Sequence, residues 1–159
     1  MITIKTSEGA CPDHDYDPEW DYDVVEMEDR DREMVEAIGD RVRGEILPVL
    51  GFEGCSIFAA NLPDQCVAIY ISGTAPFPVL GIDCARMLAV CEEEGLAIQT
   101  ELAVSIAYEI AHGHQEMCGI DLSQHEDETE DAAERFARDW VDIGIIDPRP
   151  LEAAGADAP

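Results

Sequence analysis

The chain has 159 residues, and its 36 acidic and 9 basic residues give a formal net charge of -27. Because 47% of the residues are hydrophobic, an intrinsically disordered chain is excluded in spite of this charge, and the length fits one folded domain. The sequence has no apolar run near the ~20 residues of a membrane helix, no signal-peptide order at its start and no basic cluster for phosphates. We therefore expect a cytoplasmic protein that binds neither membranes nor nucleic acid directly.

Lysine is almost absent from the chain, since Lys5 is the only lysine and the other cations are arginines. This composition resembles that of proteins from organisms with molar intracellular salt, where a screening length of about 3 Å removes most self-repulsion. The alternative is an acidic interaction protein, such as an inhibitor that imitates nucleic acid and occupies the basic groove of a partner. The acidic residues are spread along the chain as well as massed in one run, which favours salt adaptation.

The first predicted elements are an acidic arm and a core-packing helix. Residues 1–23 contain few apolar side chains and many aspartates, so we expect a mobile arm after a short strand at residues 2–4. A helix is predicted from about Glu26 to near Gly51, because apolar residues recur there at every fourth position. These residues are Met34, Ile38, Val42 and Ile46.

Three short β-rich segments follow this helix. Residues 55–60 and 66–72 predict a hairpin with a five-residue connection, and residues 78–82 predict a third strand. Three helical segments come next, and they begin near Asp83, Gln99 and Glu126. The sequence therefore predicts an α+β domain over residues 24–146, with a small three-stranded sheet packed on about four helices. The turn-rich residues 147–159 predict a disordered C-terminal tail.

The sequence YEIAH, which contains Tyr108, Glu109 and His112, is the most informative motif. It resembles the HExxH helix of zincin metallopeptidases, with Tyr108 in the place of the first histidine. Residues 130–137 resemble the ExxAxxFA helix that supplies the third metal ligand in the Glu-ligated branch of these enzymes. Over residues 52–143, the predicted elements come in the order small sheet, YEIAH helix and acidic helix. This order is similar to that of a minimal zincin domain.

The resemblance implies zinc-dependent peptide hydrolysis, with His112 and Glu130 as metal ligands and Glu109 as the general base. Residues i and i+4 of a helix lie on one face, so two ligands at this spacing can bind one ion from the same side. Tyr108 departs from the pattern, because a phenol with a pKa near ~10 must lose its proton to bind zinc well. Tyr108 would then be a weak ligand or would stabilise the oxyanion. We therefore expect a degenerate member of the family, with weak or no hydrolysis of a peptide or protein partner.

Other residues near the motif leave alternatives open. His114 could join His112 as a ligand only if the helix ended near Gly113, because residues i and i+2 of a helix point ~200° apart. His125 could approach from the loop before the last helix, and Cys118 could form a nucleophilic pair with a neighbouring histidine. A viral or plasmid accessory protein that uses the fold as a scaffold is a further alternative.

Two remaining groups of polar residues predict no specific site. The six cysteines form no CxxC motif, which is typical of reduced thiols in a cytosolic protein, and the CxxH pair Cys11 and His14 has no second ligand pair nearby. An acidic run at the start of the last helix lacks the glycine of a calcium loop, so it predicts a solvated helix start. Its members are Glu126, Asp127, Glu128, Glu130 and Asp131.

Overall fold

Residues 1–5 and 22–155 are described by the computed structural model of the protein, and they combine helices with one five-stranded mixed sheet. Its elements are β1 (Ile2–Lys5), β2 (Asp23–Val25), α1 (Asp29–Arg41), a π-helical segment (Val42–Ile46), α2 (Leu47–Leu50), β3 (Gly54–Asn61), β4 (Ala68–Tyr70), β5 (Val79–Ile82), α3 (Cys84–Glu94), α4 (Ile98–Met117), α5 (Glu126–Ile143) and α6 (Arg149–Ala153). The α+β class is therefore confirmed. The pair Cys11 and His14 and most of the expected acidic arm lie outside the described residues.

The predicted first helix is confirmed as one continuous helical run from α1 through the π-helical segment to α2. Ile38, Val42 and Ile46 are buried, as their spacing predicts. The run ends at Gly51, whose φ of 76° lies in the left-handed region that glycine adopts without a steric penalty.

The order of the strands differs from the predicted hairpin. The strands β3 and β4 do not pair with each other, because β5 lies between them, parallel to β3 and antiparallel to β4. All four residues of β5 are buried, whereas those of β4 are only partly buried. A strand that is covered on both faces is most stable in the interior of a sheet, so β5 takes the inner place and β4 takes the edge.

The sheet also has five strands instead of three, because two N-terminal strands join β3. Both β1 and β2 run antiparallel to β3, with Ile2 opposite Ile57 and Asp23 opposite Asn61. Ile4 is buried in the core, so the short strand expected at residues 2–4 is confirmed.

The three helices predicted after the sheet are confirmed as α3, α4 and α5. The carboxylate of Asp83 accepts a hydrogen bond from the backbone N–H of Arg86 and caps α3, which ends at Gly95 with a φ of 70°. The apolar face of α5 is buried; it consists of Ala133, Phe136, Ala137 and Trp140. None of the helices in the described ranges combines the length and the apolar character that a membrane-spanning helix requires.

The C-terminal residues contain an ordered helix, α6, where the sequence predicts a disordered tail from residue 147. Leu151 is fully buried and belongs to the main hydrophobic core, and Ala154 is also buried. The prediction of disorder is therefore wrong for residues 149–153. A short helix of this kind is stabilised by the apolar contacts that it makes with the core, and these contacts leave no periodic pattern in five residues.

Replacing Leu151 with alanine should lower the free energy of unfolding by about 2 kcal/mol, because it removes a buried side chain and leaves a cavity under α6. The matched control is Ile143→Ala, which truncates an exposed side chain and should change stability by less than about 0.5 kcal/mol. Urea denaturation of both variants measures the difference. Equal stabilities of the two variants would show that α6 is not docked in solution.

Candidate functional site

A cavity of about 500 Å³ lies between β4, α4 and the start of α5. Its lining includes all four residues that the zincin resemblance singles out, which are Tyr108, Glu109, His112 and Glu130. Cys66, Ala68, Ile69, Tyr70 and Thr129 are among the other lining residues. The fold thus brings to one cavity four side chains from two helices that are separated by a loop, while their roles stay predictions.

The edge strand β4 forms one wall of this cavity because it packs closely against α4. Gly113 permits the close approach, since a Cβ atom at this position would lie 3.3 Å from side-chain atoms of Tyr70 and Pro78. The carboxylate of Glu116 accepts hydrogen bonds from the Tyr70 hydroxyl, at 2.9 Å, and from the backbone N–H of Gly73, at 2.6 Å. These contacts set the position of the cavity wall relative to the YEIAH residues.

Tyr108 and His112 lie on one face of α4, as the i, i+4 spacing predicts. Their ring centroids are 4.6 Å apart and the rings meet edge to face at 78°. The Nδ1 atom of His112 lies 2.8 Å from Oε1 of Gln115, and the amide nitrogen of Gln115 donates to the carbonyl oxygen of Thr129 at 2.9 Å. Gln115 therefore offers His112 an acceptor, so Nδ1 carries the proton and Nε2 has the lone pair that a metal ion needs.

Glu109 is a buried carboxyl group. Burial raises the pKa of Glu109 to about 8, and the negative charge of Glu130 adds to the increase. At pH 7 the neutral acid is therefore the main form of Glu109. A cation in the cavity would favour the ionised form, which is the form that can accept a proton.

Tyr108 keeps its proton at neutral pH. Burial raises the pKa of Tyr108 above its ordinary value, and the carboxylates of Glu130, Glu109, Glu134 and Asp131 raise it further. The phenol is therefore a poor metal ligand at this position, but it can donate a hydrogen bond into the cavity. A phenol that keeps its proton binds zinc less well than a histidine at the same position would.

Glu130 is exposed at the mouth of the cavity, in the first turns of α5. Partial loss of hydration beside the cavity raises the pKa of Glu130, and the charges of Glu126, Asp127 and Asp131 raise it further. The acidic run to which Glu130 belongs is exposed, as expected of a solvated helix start.

The two alternative histidine ligands do not reach the cavity. Because α4 continues without a break to Met117, His114 points away from His112, and its ring contacts Phe52 with centroids 6.4 Å apart. His125 packs against Gly155 at the end of α6. The structure therefore brings neither histidine together with His112 in this cavity.

His114 instead belongs to a second cluster, with Cys118 and Glu152. The Nε2 atom of His114 is 3.5 Å from a carboxylate oxygen of Glu152 and 3.7 Å from Sγ of Cys118. Within the described residues, this is the only group of three such side chains whose donor atoms all lie within 4.8 Å of one another, and neither His112 nor Glu130 belongs to it. Glu152 escaped the sequence prediction because it lies on α6, although the i, i+4 spacing of His114 and Cys118 is a local signal.

The structure does not favour Cys118 as a nucleophile. Burial raises the pKa of the Cys118 thiol, and the charge of Glu152 raises it further. A nucleophilic cysteine requires the thiolate, so the surroundings of Cys118 act against this chemistry.

Comparison with family models, with curated proteins and with solved structures finds no match.

Proposed function

We propose that the cavity is a degenerate zincin-like active site that binds a divalent metal ion weakly and has weak or no zinc-dependent peptide hydrolysis. The observation that carries this proposal is the convergence of Tyr108, Glu109, His112 and Glu130 on one cavity beside an edge strand. Helix α4 supplies three of these side chains and α5 supplies the fourth.

Two of the donor groups fit a zinc ion and the third does not. His112 has its Nδ1 proton directed to Gln115, which leaves Nε2 available, and Glu130 has an exposed carboxylate. Tyr108 remains a neutral phenol because of burial and the surrounding acids, with its pKa raised. Catalytic zinc sites ordinarily have three protein ligands, so a site with two of them should bind zinc weakly.

Residues of the cavity would have different roles in peptide hydrolysis. A bound zinc ion would act as a Lewis acid in the cavity. Glu109, once ionised, would accept a proton from the attacking water, and the Tyr108 hydroxyl would donate a hydrogen bond to the developing oxyanion.

The edge strand β4 indicates the class of substrate. Within the described residues, β5 is the only strand that pairs with β4, which makes β4 an edge of the described sheet. An extended peptide can add to such an edge through main-chain hydrogen bonds, which would lay it along the cavity wall formed by residues 68–70. We therefore propose an extended peptide segment as the ligand or substrate.

Replacing Glu130 with alanine should lower the affinity of the cavity for zinc about tenfold, because it removes one of two suitable donors. The measurement is a zinc titration in molar KCl, followed through the NMR signals of the His112 side chain. The matched control is Glu128→Ala, which removes an exposed carboxylate from the same helix but does not line the cavity. If zinc leaves the His112 signals unchanged in the unmodified protein, the proposed function is wrong, whatever the other histidines show.

A further inference from the structure

The cluster of His114, Cys118 and Glu152 joins the end of α4 to α6. His114 and Cys118 are four residues apart, so they project from the same face of the helical end, and Glu152 reaches them from α6. His114 is buried, whereas Cys118 and Glu152 are exposed. Two of the three donors therefore lie at the surface, where an ion can enter from solvent, and the third is a histidine that the core keeps in place.

The distances in the cluster agree with the edges of a zinc tetrahedron. Zinc lies about 2.0 to 2.2 Å from nitrogen or oxygen and about 2.3 Å from sulfur, so two tetrahedral ligands are roughly 3.3 to 3.7 Å apart. The His114 nitrogen lies 3.5 Å from the Glu152 oxygen and 3.7 Å from the Cys118 sulfur. The Cys118 sulfur and the Glu152 oxygen lie within 4.8 Å of each other, and the exposed Glu152 side chain would have to move closer to complete the third edge.

The chemistry of the three donors selects zinc among the common divalent cations. Thiolate and imidazole ligands suit zinc, whereas calcium and magnesium require oxygen ligands. The Cys118 thiol is protonated without the ion, but a zinc ion deprotonates a thiol that coordinates it, a stabilisation that a nucleophilic cysteine without the ion lacks. Cys118 is the C-cap residue of α4, and the negative end of a helix dipole favours a cation at this place. The net charge of -27 further attracts divalent cations to the protein.

A shared metal ion accounts for the cluster better than a simple ion pair between His114 and Glu152. Nε2 of His114 has both Glu152 and Cys118 near it, at 3.5 Å and 3.7 Å, and one N–H group cannot point at both partners with good geometry. A metal ion would bind all three side chains at once. Nδ1 of His114 is buried without a hydrogen-bond partner in the described residues, whichever group Nε2 binds.

We propose that His114, Cys118 and Glu152 bind one zinc ion, which links α6 to the end of α4. The three protein donors leave a fourth position for water. Because Nδ1 of His114 has no acceptor, we expect weaker binding than in zinc sites whose histidines donate this proton. This site is separate from the cavity of the proposed function, and it requires neither Glu130 nor His112.

The test is a titration of the whole protein with cobalt(II), which occupies zinc sites and shows a thiolate charge-transfer band in the near ultraviolet. We expect the band to saturate at one equivalent and to disappear when zinc is added in competition. Cys118→Ser should abolish the band, and Glu152→Gln should weaken cobalt binding at least about tenfold. Both side chains are exposed, so neither variant should fail to fold.

Matched controls identify the cysteine that binds the ion. Cys11→Ser tests the CxxH pair, Cys66→Ser tests the cysteine that lines the cavity, and Glu128→Gln tests an unrelated exposed carboxylate; all three should retain the band. His112→Ala should also retain it, which separates this proposal from the function of the cavity. Absence of the band in the unmodified protein, or its persistence in Cys118→Ser, would overturn the proposal.

Discussion

Replacing Tyr108 with histidine should raise the affinity of the cavity for zinc about a hundredfold. Structural zinc sites with four ligands have binding free energies of about 10–16 kcal/mol, so each ligand contributes on the order of 3 kcal/mol. Tyr108 and His112 already share one face of α4, with ring centroids 4.6 Å apart, so the new imidazole would stand beside the existing one. Histidine is smaller than tyrosine, and Tyr108 is only partly buried, so the substitution needs no repacking of the core.

The same variant should gain or increase zinc-dependent hydrolysis of an unstructured peptide. The matched control is Tyr108→Phe, which keeps the ring and removes the hydroxyl without adding a donor; it should gain no zinc affinity. Zinc content by elemental analysis, after purification in molar KCl without chelator, and a peptide cleavage assay measure the two effects. Both are best compared in a Cys118→Ser background, where the second cluster does not contribute metal.

Failure of Tyr108→His to bind more zinc than Tyr108→Phe would contradict the zincin-like interpretation of the cavity. Zinc binding without hydrolysis would show that the donor positions are correct. It would also show that the degenerate site does not bind the substrate or that Glu109 does not act as the general base.

Replacing Glu109 with glutamine should stabilise the protein at neutral and alkaline pH in the presence of a chelator. Burial raises the pKa of Glu109 from 4.5 to about 8 in the folded protein. A group with a raised pKa contributes its full stability below the unfolded pKa, near pH 4.5, and loses it as the pH rises towards 8. At pH 7 the loss amounts to roughly 3 kcal/mol, which the neutral amide of glutamine avoids.

Urea denaturation at pH 4.5, 7 and 9 measures this effect as the difference between the variant and the unmodified protein. The difference should be small at pH 4.5 and should grow as the pH rises to about 8. Glu128→Gln is the control, because it removes an exposed carboxylate, and its effect should stay within about 0.5 kcal/mol. A constant difference at all three pH values would show that Glu109 has the same pKa in the folded and unfolded states, so that burial does not raise it.

Acidic side chains that contribute to the net charge are exposed on the helices, and their function stays open. Exposed carboxylates occur on several helices, for example Glu36 on α1, Glu93 on α3 and Glu134 on α5. They are therefore not confined to the acidic run at the start of α5. Salt adaptation and an acidic interaction surface both stay predictions.

The helices of this protein could be predicted because their signals are local. Apolar residues at every fourth position predicted the helical run through Val42, and the predicted start near Asp83 is the N-cap of α3. The same helical spacing put Tyr108 and His112 on one face. Side chains within two turns of a helix have their relative positions set by backbone geometry alone, whatever the rest of the chain does.

The strand order, the docking of α6 and the electrostatic state of the cavity were decided by tertiary structure. The strand β5 lies between β3 and β4 because the interior of the sheet buries it completely, and this choice depends on distant partners. Leu151 docks α6 by contacts with the core, which brings Glu152 to His114 across a separation that no local pattern encodes. The raised pKa of Glu109 likewise results from burial between packed elements and from a charge on another helix. These properties depend on which surfaces meet, and that is settled by the free energy of the whole packed core.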